Sequence, residues 1–571
     1  MGLYTTSHAL LEALVEAGVS YIFANLGSDH PGLIEALAEA RAKGRPAPDL
    51  ITSPNEMVAL SAAQGHAQVS GRAQAVLVHV ECGTQSLAGA VHNAANARAP
   101  ALIVAGASPF TQEGELKGSR NEFIQWLQDV SDQRGIVRGY MKYDNEIRTG
   151  ANVKQIVHRA LQIAHSDPRG PVYLMCAREV MEAETSRVDV DMARWRPLAP
   201  SALAAADAQD IAGALRSARR PLVVTTYLGR NPAAVDEIQR LAGRLGLGVL
   251  ESCPSHMNFP ASDRLYQGQQ WNEPTQNDAL AEADLVLVID SDVPWIPVVN
   301  RPGKGARILH IDADPLKSRT PLWHIGAERS FGVDAATALA QINAHLDGVA
   351  PDGAAPEERR RHYGARHDRL AAARRERESA DGAVTPEYLA ARLRERLADD
   401  AIVLNEGITN YGSVGAHLER TRPGTLYTSG GGSLGWSGGA AIGMKLAAPE
   451  RTVVSICGDG CFLFSQPSTV FWMARRYRTP FMQIVLNNRG WRAPRFSLLQ
   501  VHPDGYASRS NDIGMSFDPP PDYAGIAAAA GGALGLIVKT PEVLDAAIEA
   551  GLSAVRDEQR CAVLDVWLPA A

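Results

Sequence analysis

Val453-Val454-Ser455-Ile456-Cys457-Gly458-Asp459-Gly460, followed after 26 intervening residues by Asn487-Asn488-Arg489-Gly490, decides how this chain folds. Val453–Cys457 is a short apolar run that stops at a Gly-Asp-Gly turn, and it reads as a buried parallel strand. Ser465–Tyr477 reads as a crossover helix, and Phe481–Leu486 as the next strand, ending at the two asparagines. A right-handed strand–helix–strand unit sets both strand ends on one edge of the sheet. If neighbours, the strands lie ~4.8 Å apart, and Asp459 meets an asparagine where doubly wound sheets bind ligands. A carboxylate, an amide oxygen and a loop carbonyl form a hard oxygen set suited to Mg²⁺, with phosphate oxygens and water completing the shell. Glycines there let backbone approach phosphate closely. Asp-Gly and Asn-Asn are ordinary turn dipeptides taken singly. Their pairing across one helix and one strand carries the reading.

Outward from this unit, apolar strand-like runs alternate with amphipathic helical ones, the pattern of an α/β protein with parallel sheets. Strands are expected at Tyr21–Ala24, Ala75–His79, Ala101–Ala105, Pro171–Met175, Leu222–Thr225, Leu285–Ile289 and Ile308–Ile311 as well. Two segments break the alternation: Arg196-Pro197-Leu198-Ala199-Pro200, and 348–384 with its Arg-dense run Arg359–Arg377. A run of like charge is usually a solvated helix or linker. Three doubly wound domains follow, at 1–190, 200–347 and 385–571, with 348–384 as a linker. The first and third share a faint likeness. Gly83-Thr84-Gln85-Ser86-Leu87 and Gly432-Ser433-Leu434-Gly435 each precede a helix and then a strand. Two such domains, of one chain or of two, could face each other across a ligand.

The 571 residues carry 56 Lys and Arg against 63 Asp and Glu, and the net charge of −7 argues against nucleic-acid binding. No apolar run approaches the ~20 residues of a membrane span, and the N-terminus lacks the features of a secretory signal. Six scattered cysteines without a CxxC pair point to a reducing, cytoplasmic compartment. Met1–Thr6 matches the N-myristoylation pattern, but Thr6 reads better as the N-cap of the amphipathic helix that follows.

Gly-Asp-Gly, 26 residues, Asn-Asn is similar to the diphosphate- and Mg²⁺-binding signature of thiamine-diphosphate enzymes. Ser53-Pro54-Asn55-Glu56-Met57-Val58-Ala59, Gly83-Thr84-Gln85-Ser86 and Pro100–Ser108 in the first domain extend the likeness. So do Gly430–Gly443 and Pro449-Glu450-Arg451 in the third. These resemble the pyrimidine- and diphosphate-binding domains of the acetohydroxyacid synthase, benzoylformate decarboxylase and pyruvate decarboxylase group. The resemblance implies thiamine diphosphate and Mg²⁺ as cofactors. It places Gly458, Asp459, Gly460 and Cys461 around the diphosphate, and Asp459, Asn488 and the Gly490 carbonyl on the metal. It implies that Glu56 hydrogen-bonds the aminopyrimidine ring and supports the proton transfer that activates the cofactor. Gly432 and Leu434 match the loop that supports the bent cofactor. A homodimer or homotetramer with active sites between chains is also implied. Cys461 departs from the serine common at its position, and the spacing to the asparagines is slightly long. Leu285–Pro294 lacks the Arg-Phe-Asp-Asp stretch of FAD-binding relatives, which counts against FAD.

His79 resembles the active-site histidine of benzoylformate decarboxylase and could shuttle protons. Ser28, Asp29 and His30 after the first strand, Asn121 and Glu122, and Trp491 and Arg492 are further candidates to face substrate. An arginine there suits a substrate carboxylate. Gly430–Gly435 also fits GxGxxG and Gly435–Gly439 fits GxSxG, but both patterns are loose without their flanking structure. The function expected is decarboxylation of a 2-oxo acid, with or without ligation to a second carbonyl as in acetolactate synthase. The alternatives are a carbon–carbon lyase acting on a 2-hydroxy ketone or 2-hydroxyacyl thioester, and a catalytically silent cofactor-binding relative. Glu56 stands against the last, because binding alone needs no activating carboxylate.

Overall fold

The computed structural model describes residues 3–350, 353–380, 382–510 and 513–569, so the Gly2 of the myristoylation pattern lies outside the described residues. The chain forms three six-stranded sheets in which every pairing between strands is parallel. The first holds β1 (Tyr21–Ala24), β2 (Asp49–Thr52), β3 (Ala75–Val78), β4 (Ala101–Ala107), β5 (Tyr143–Ile147) and β6 (Pro171–Ala177), ordered β2-β1-β3-β4-β6-β5. The second holds β7 (Pro221–Thr225), β8 (Gly248–Ser252), β9 (Tyr266–Gln270), β10 (Leu285–Ile289), β11 (Arg307–Asp312) and β12 (Arg329–Gly332), ordered β12-β11-β10-β7-β8-β9. The third holds β13 (Ile402–Glu406), β14 (Leu426–Tyr427), β15 (Val453–Gly458), β16 (Met482–Asn487), β17 (Leu534–Val538) and β18 (Ala562–Trp567), ordered β14-β13-β15-β16-β18-β17.

The first and third sheets thus share one strand order, and the faint likeness between their loops is a likeness of whole topology. The helix Glu56–Ser70 joins β2 to β3, and its counterpart Trp436–Ala447 joins β14 to β15. These two equivalent helices pack on each other at backbone distance. A Cβ added at Gly443 would lie 1.8 Å from the Ala62 carbonyl oxygen, and one at Gly65 would lie 2.3 Å from that of Ala440. Only glycine permits this approach. Val58, Ala62, Ala440 and Ile442 join a single apolar core that spans both domains.

The middle sheet has the order of dinucleotide-binding folds. The segment 348–384, expected as a linker, is for most of its length a 22-residue helix, Ala355–Glu376, docked on this sheet. Tyr363 is buried and its hydroxyl donates to the Pro221 carbonyl (2.9 Å), while the buried Arg359 donates to the carbonyls of Leu215 and Leu245. Charge density concealed this docking face. At the N-terminus Thr5, rather than Thr6, caps the helix Thr6–Glu16. Among the described residues no helix is long and apolar enough to cross a membrane. All six cysteines are free thiols.

Candidate active site

β15 and β16 are neighbours in register, Gly458 opposite Leu486, so the two motifs meet at one sheet edge. Gly458 caps a short helix, Asp459–Phe464, and Asp459 is its first residue. The Asp459 carboxylate is buried and ties the motifs together: Oδ1 accepts the Gly460 N–H (2.8 Å) and Oδ2 accepts the Gly490 N–H (3.1 Å). Burial pushes its carboxyl up to about 6, against the pull of these N–H donors. A buried carboxylate held this way gains from a cation, which would stabilise its charged form.

The two asparagines part company. Asn487 lies in the sheet, its amide donating to Asp565 Oδ1 (2.8 Å), with its own Oδ1 buried and without a partner. Asn488 is half-buried at the head of the loop. That loop is clamped from the far side: Trp491 N–H donates to the Met515 carbonyl (2.7 Å) and Phe517 N–H to that of Arg489 (2.8 Å). The Trp491 ring lies over Gly460, where a Cβ would come within 2.3 Å of it. Gly460 is therefore required by an indole, a constraint the motif alone did not show. Arg492 is half-buried with Nε lacking a partner; burial lowers its pKa and the charge of Asp459 opposes that shift. Cys461 is buried, and burial pushes its thiol well above the usual range. Gly432 donates its N–H to His92 Nε2 (3.0 Å), and Leu434 packs against the shared core.

On the first domain, Glu56 opens its helix behind the cap Asn55, whose Oδ1 accepts the Val58 N–H (3.1 Å). The Glu56 side chain is buried, and Oε1 accepts from Asn25 Nδ2 (3.0 Å). Gly83 makes room for it, since a Cβ there would lie 3.0 Å from Oε1. His79 follows β3, with Nδ1 2.5 Å from Asp29 Oδ1 and Nε2 2.8 Å from Gln128 Oε1. The hydrogen bond to Asp29 raises the His79 pKa. His30 is buried, accepts the Gly27 N–H at Nδ1 (2.9 Å), and is held below the usual histidine range by burial. Ser28 Oγ is buried without a partner. Asn121 and Glu122 are exposed, and Asn121 Oδ1 is taken by Arg178 (2.8 Å).

Asn55, Met57, Ser86 and Ala88 share a cavity of about 460 Å³ with Gly460, Phe464 and Trp491, so the first and third domains face a common space. Asn410 Nδ2 after β13 and Trp436 Nε1 are buried in the third domain without partners. Glu406 at the end of β13 accepts three N–H groups, from Gly435, Trp436 and Ser437, at 2.7–3.1 Å. Asn25, Gln128, Glu406 and Asp565 escaped the sequence reading; only Asn25, directly after an expected strand, carried a positional signal. In the middle domain Arg98 reaches across from the first domain, stacks 3.9 Å from the centre of the Tyr227 ring and pairs with Asp292 at 2.8 Å. Among the described residues no three His, Cys, Asp or Glu side chains are grouped to hold a metal. A metal at Asp459 would rest on that carboxylate plus amide and carbonyl oxygens. That donor set, hard oxygens beside backbone N–H groups at the start of a helix, fits a diphosphate–Mg²⁺ ligand.

Three models of the thiamine pyrophosphate enzymes match: the N-terminal TPP binding domain at 4–136, the central domain at 208–322 and the C-terminal TPP binding domain at 407–566. The chain is 25% identical to a sulfoacetaldehyde acetyltransferase of Castellaniella defragrans, covering 98% of this chain and 93% of the relative. It is 26% identical to a benzoylformate decarboxylase of Pseudomonas aeruginosa (86% and 87% covered) and 24% identical to a 2-hydroxyacyl-CoA lyase 2 of Danio rerio (85% and 80%). Its fold matches a thiamine diphosphate-dependent 4-hydroxybenzoylformate decarboxylase of Rhodococcus jostii with a TM-score of 0.77, at 21% identity over 99% of each chain.

Proposed function

Because this chain belongs to the thiamine pyrophosphate enzymes, we propose that it holds thiamine diphosphate through Mg²⁺ and decarboxylates a 2-oxo acid, with or without ligating the product to a second carbonyl. The observation that carries the reading is the Asp459 carboxylate bridging Gly460 and Gly490, which joins the two motifs at one sheet edge. When bound, the cofactor supplies a nucleophilic thiazolium carbon and an electron sink for the bond next to a carbonyl. Asp459, Asn488 and the Gly490 carbonyl would hold the metal. Glu56, fixed by Asn25, would hold a proton at the pyrimidine ring nitrogen. Leu434 would support the cofactor's ring system, and Arg492 and Trp491 would border the substrate.

The relative named a benzoylformate decarboxylase supports a 2-oxo acid as substrate. Exposed Phe110, Phe123, Trp126 and Leu127, beyond β4 at the His79 edge, support pairing of two chains across the site. A panel of 2-oxo acids with coupled detection of CO₂ and aldehyde tests the reading. Release of CO₂ supports it. Aldehyde without CO₂, from a 2-hydroxyacyl thioester, replaces it with the lyase reading.

A further inference from the structure

His79 has both ring nitrogens engaged, so its imidazole offers no free hydrogen-bonding edge. The polar end of the chain Asp29–His79–Gln128 is the Gln128 amide nitrogen, which is buried and has no partner. The arrangement is tightly built. A Cβ at Gly27 would lie 2.0 Å from His79 Nδ1, and one at Gly106 would lie 1.5 Å from Asp29 Oδ2. Val80, next to His79, is β-branched yet held at φ +39°, and its N–H donates to Asp29 Oδ2 (3.2 Å). Such a backbone persists only where surrounding contacts enforce it.

An amide has one accepting end and one donating end. With His79 protonated, Nδ1–H donates to Asp29 and Nε2–H donates to Gln128 Oε1, leaving the amide NH₂ without a partner. When the ring loses its Nε2 proton, Nε2 becomes an acceptor that only the amide NH₂ can satisfy. The amide must then rotate by about half a turn and present its oxygen instead. Ser28 Oγ and Ser108 Oγ, also buried without partners, follow β1 and β4 at the same sheet edge.

We propose that Gln128 is a substrate-facing group whose donor or acceptor character is set by the protonation of His79, with Asp29 as the residue that positions and charges His79. In the donor state the site welcomes a carboxylate; in the acceptor state it repels one. This rests on the reading of a 2-oxo acid as substrate. The titratable groups facing His79 are Asp29 and His30 from the loop after β1 and Glu56 from its helix. Asp29 favours the charged ring most strongly, Glu56 adds to it, and His30 is kept neutral by burial.

Two measurements decide it. In full-length protein labelled with ¹³C-histidine, the His79 signal is assigned by its loss in His79→Asn. It should titrate above the ~6.5 of a free imidazole, and Asp29→Asn should lower that midpoint by about one unit or more. An unmoved midpoint overturns the role of Asp29. Benzoylformate, used as the probe, should lose affinity about tenfold per pH unit above the His79 midpoint, and Gln128→Met should abolish this fall. If Gln128→Met keeps the fall, His79 acts directly and the switch is overturned. If benzoylformate and other 2-oxo acids bind no variant at any pH, the substrate reading fails, while the histidine titration still decides the link between Asp29 and His79.

Discussion

Gly443→Ala should separate the two helices whose N-terminal ends carry Glu56 and adjoin the Leu434 loop. The added Cβ would start 1.8 Å from the Ala62 carbonyl oxygen and 2.8 Å from the His66 nitrogen, both backbone atoms. A real Cβ keeps at least 3.0 Å from such an atom, so the helices must part by about 1 Å or more. Overpacking of this kind costs ~1–3 kcal/mol, against a gain of ~0.5–1 kcal/mol from replacing glycine inside a helix. A shift of ~1 Å in the groups around a reacting centre can lower turnover ~10²-fold. Gly213→Ala is the matched control, because that helical glycine is exposed and a Cβ there meets nothing within 4 Å. Thermal unfolding and turnover should both fall in Gly443→Ala and hold or improve in Gly213→Ala. If the two variants behave alike, the backbone-to-backbone crossing does not set the relation between the domains.

Glu56→Gln should leave thiamine diphosphate bound while deuterium exchange at its thiazolium carbon and turnover fall together by ~10²–10⁴-fold; unchanged exchange would reduce Glu56 to an ordinary helix carboxylate. Asn488→Ala should raise the Mg²⁺ concentration needed for activity with little change in melting temperature. Asn487→Ala should instead lower the melting temperature, since it leaves the buried Asp565 without its amide donor; the reverse pattern would exchange their roles. Burial holds His66 at a pKa of about 4. The unfolded ring takes a proton below ~6.5 while the folded ring stays neutral, so the unfolded state binds more protons between these values. Stability should therefore fall as pH drops through that window, by up to about 3 kcal/mol. His66→Gln should flatten this part of the curve in denaturant titrations, and an unchanged slope would count against a buried neutral ring.

The central unit was legible because its signals are local: β15 and β16 are apolar runs that end at turn residues, and parallel order follows from the helix between them. Edge strands were harder to see. Asp49–Thr52 and Tyr143–Ile147 are short and only partly buried, so neither an apolar run nor clean alternation marks them. Tyr266–Gln270 hides three glutamines in a sheet, where burial is met by hydrogen bonds, Gln270 Nε2 donating to the Pro294 carbonyl for one. In the site, Asp459 and Glu56 were readable from motif and position. Asn25 and Gln128 were not, because they act on residues 31 and 49 positions away and only the fold makes them neighbours; Asp29 was placed in its loop, but its bond to His79 was not foreseen. Glycine inside a helix is unfavourable by itself, and the use of Gly65 and Gly443 appears only when two helices from different domains meet.

The most direct test is calorimetric titration of cofactor-free protein with thiamine diphosphate in the presence of Mg²⁺, for the wild type and Asp459→Ala. The wild type should bind with Mg²⁺ and lose that binding on chelation, and Asp459→Ala should bind far more weakly while its melting temperature shows it folded. Wild-type affinity in the variant, or binding indifferent to chelation, would contradict the assignment of Asp459 as the residue that anchors the cofactor through its metal.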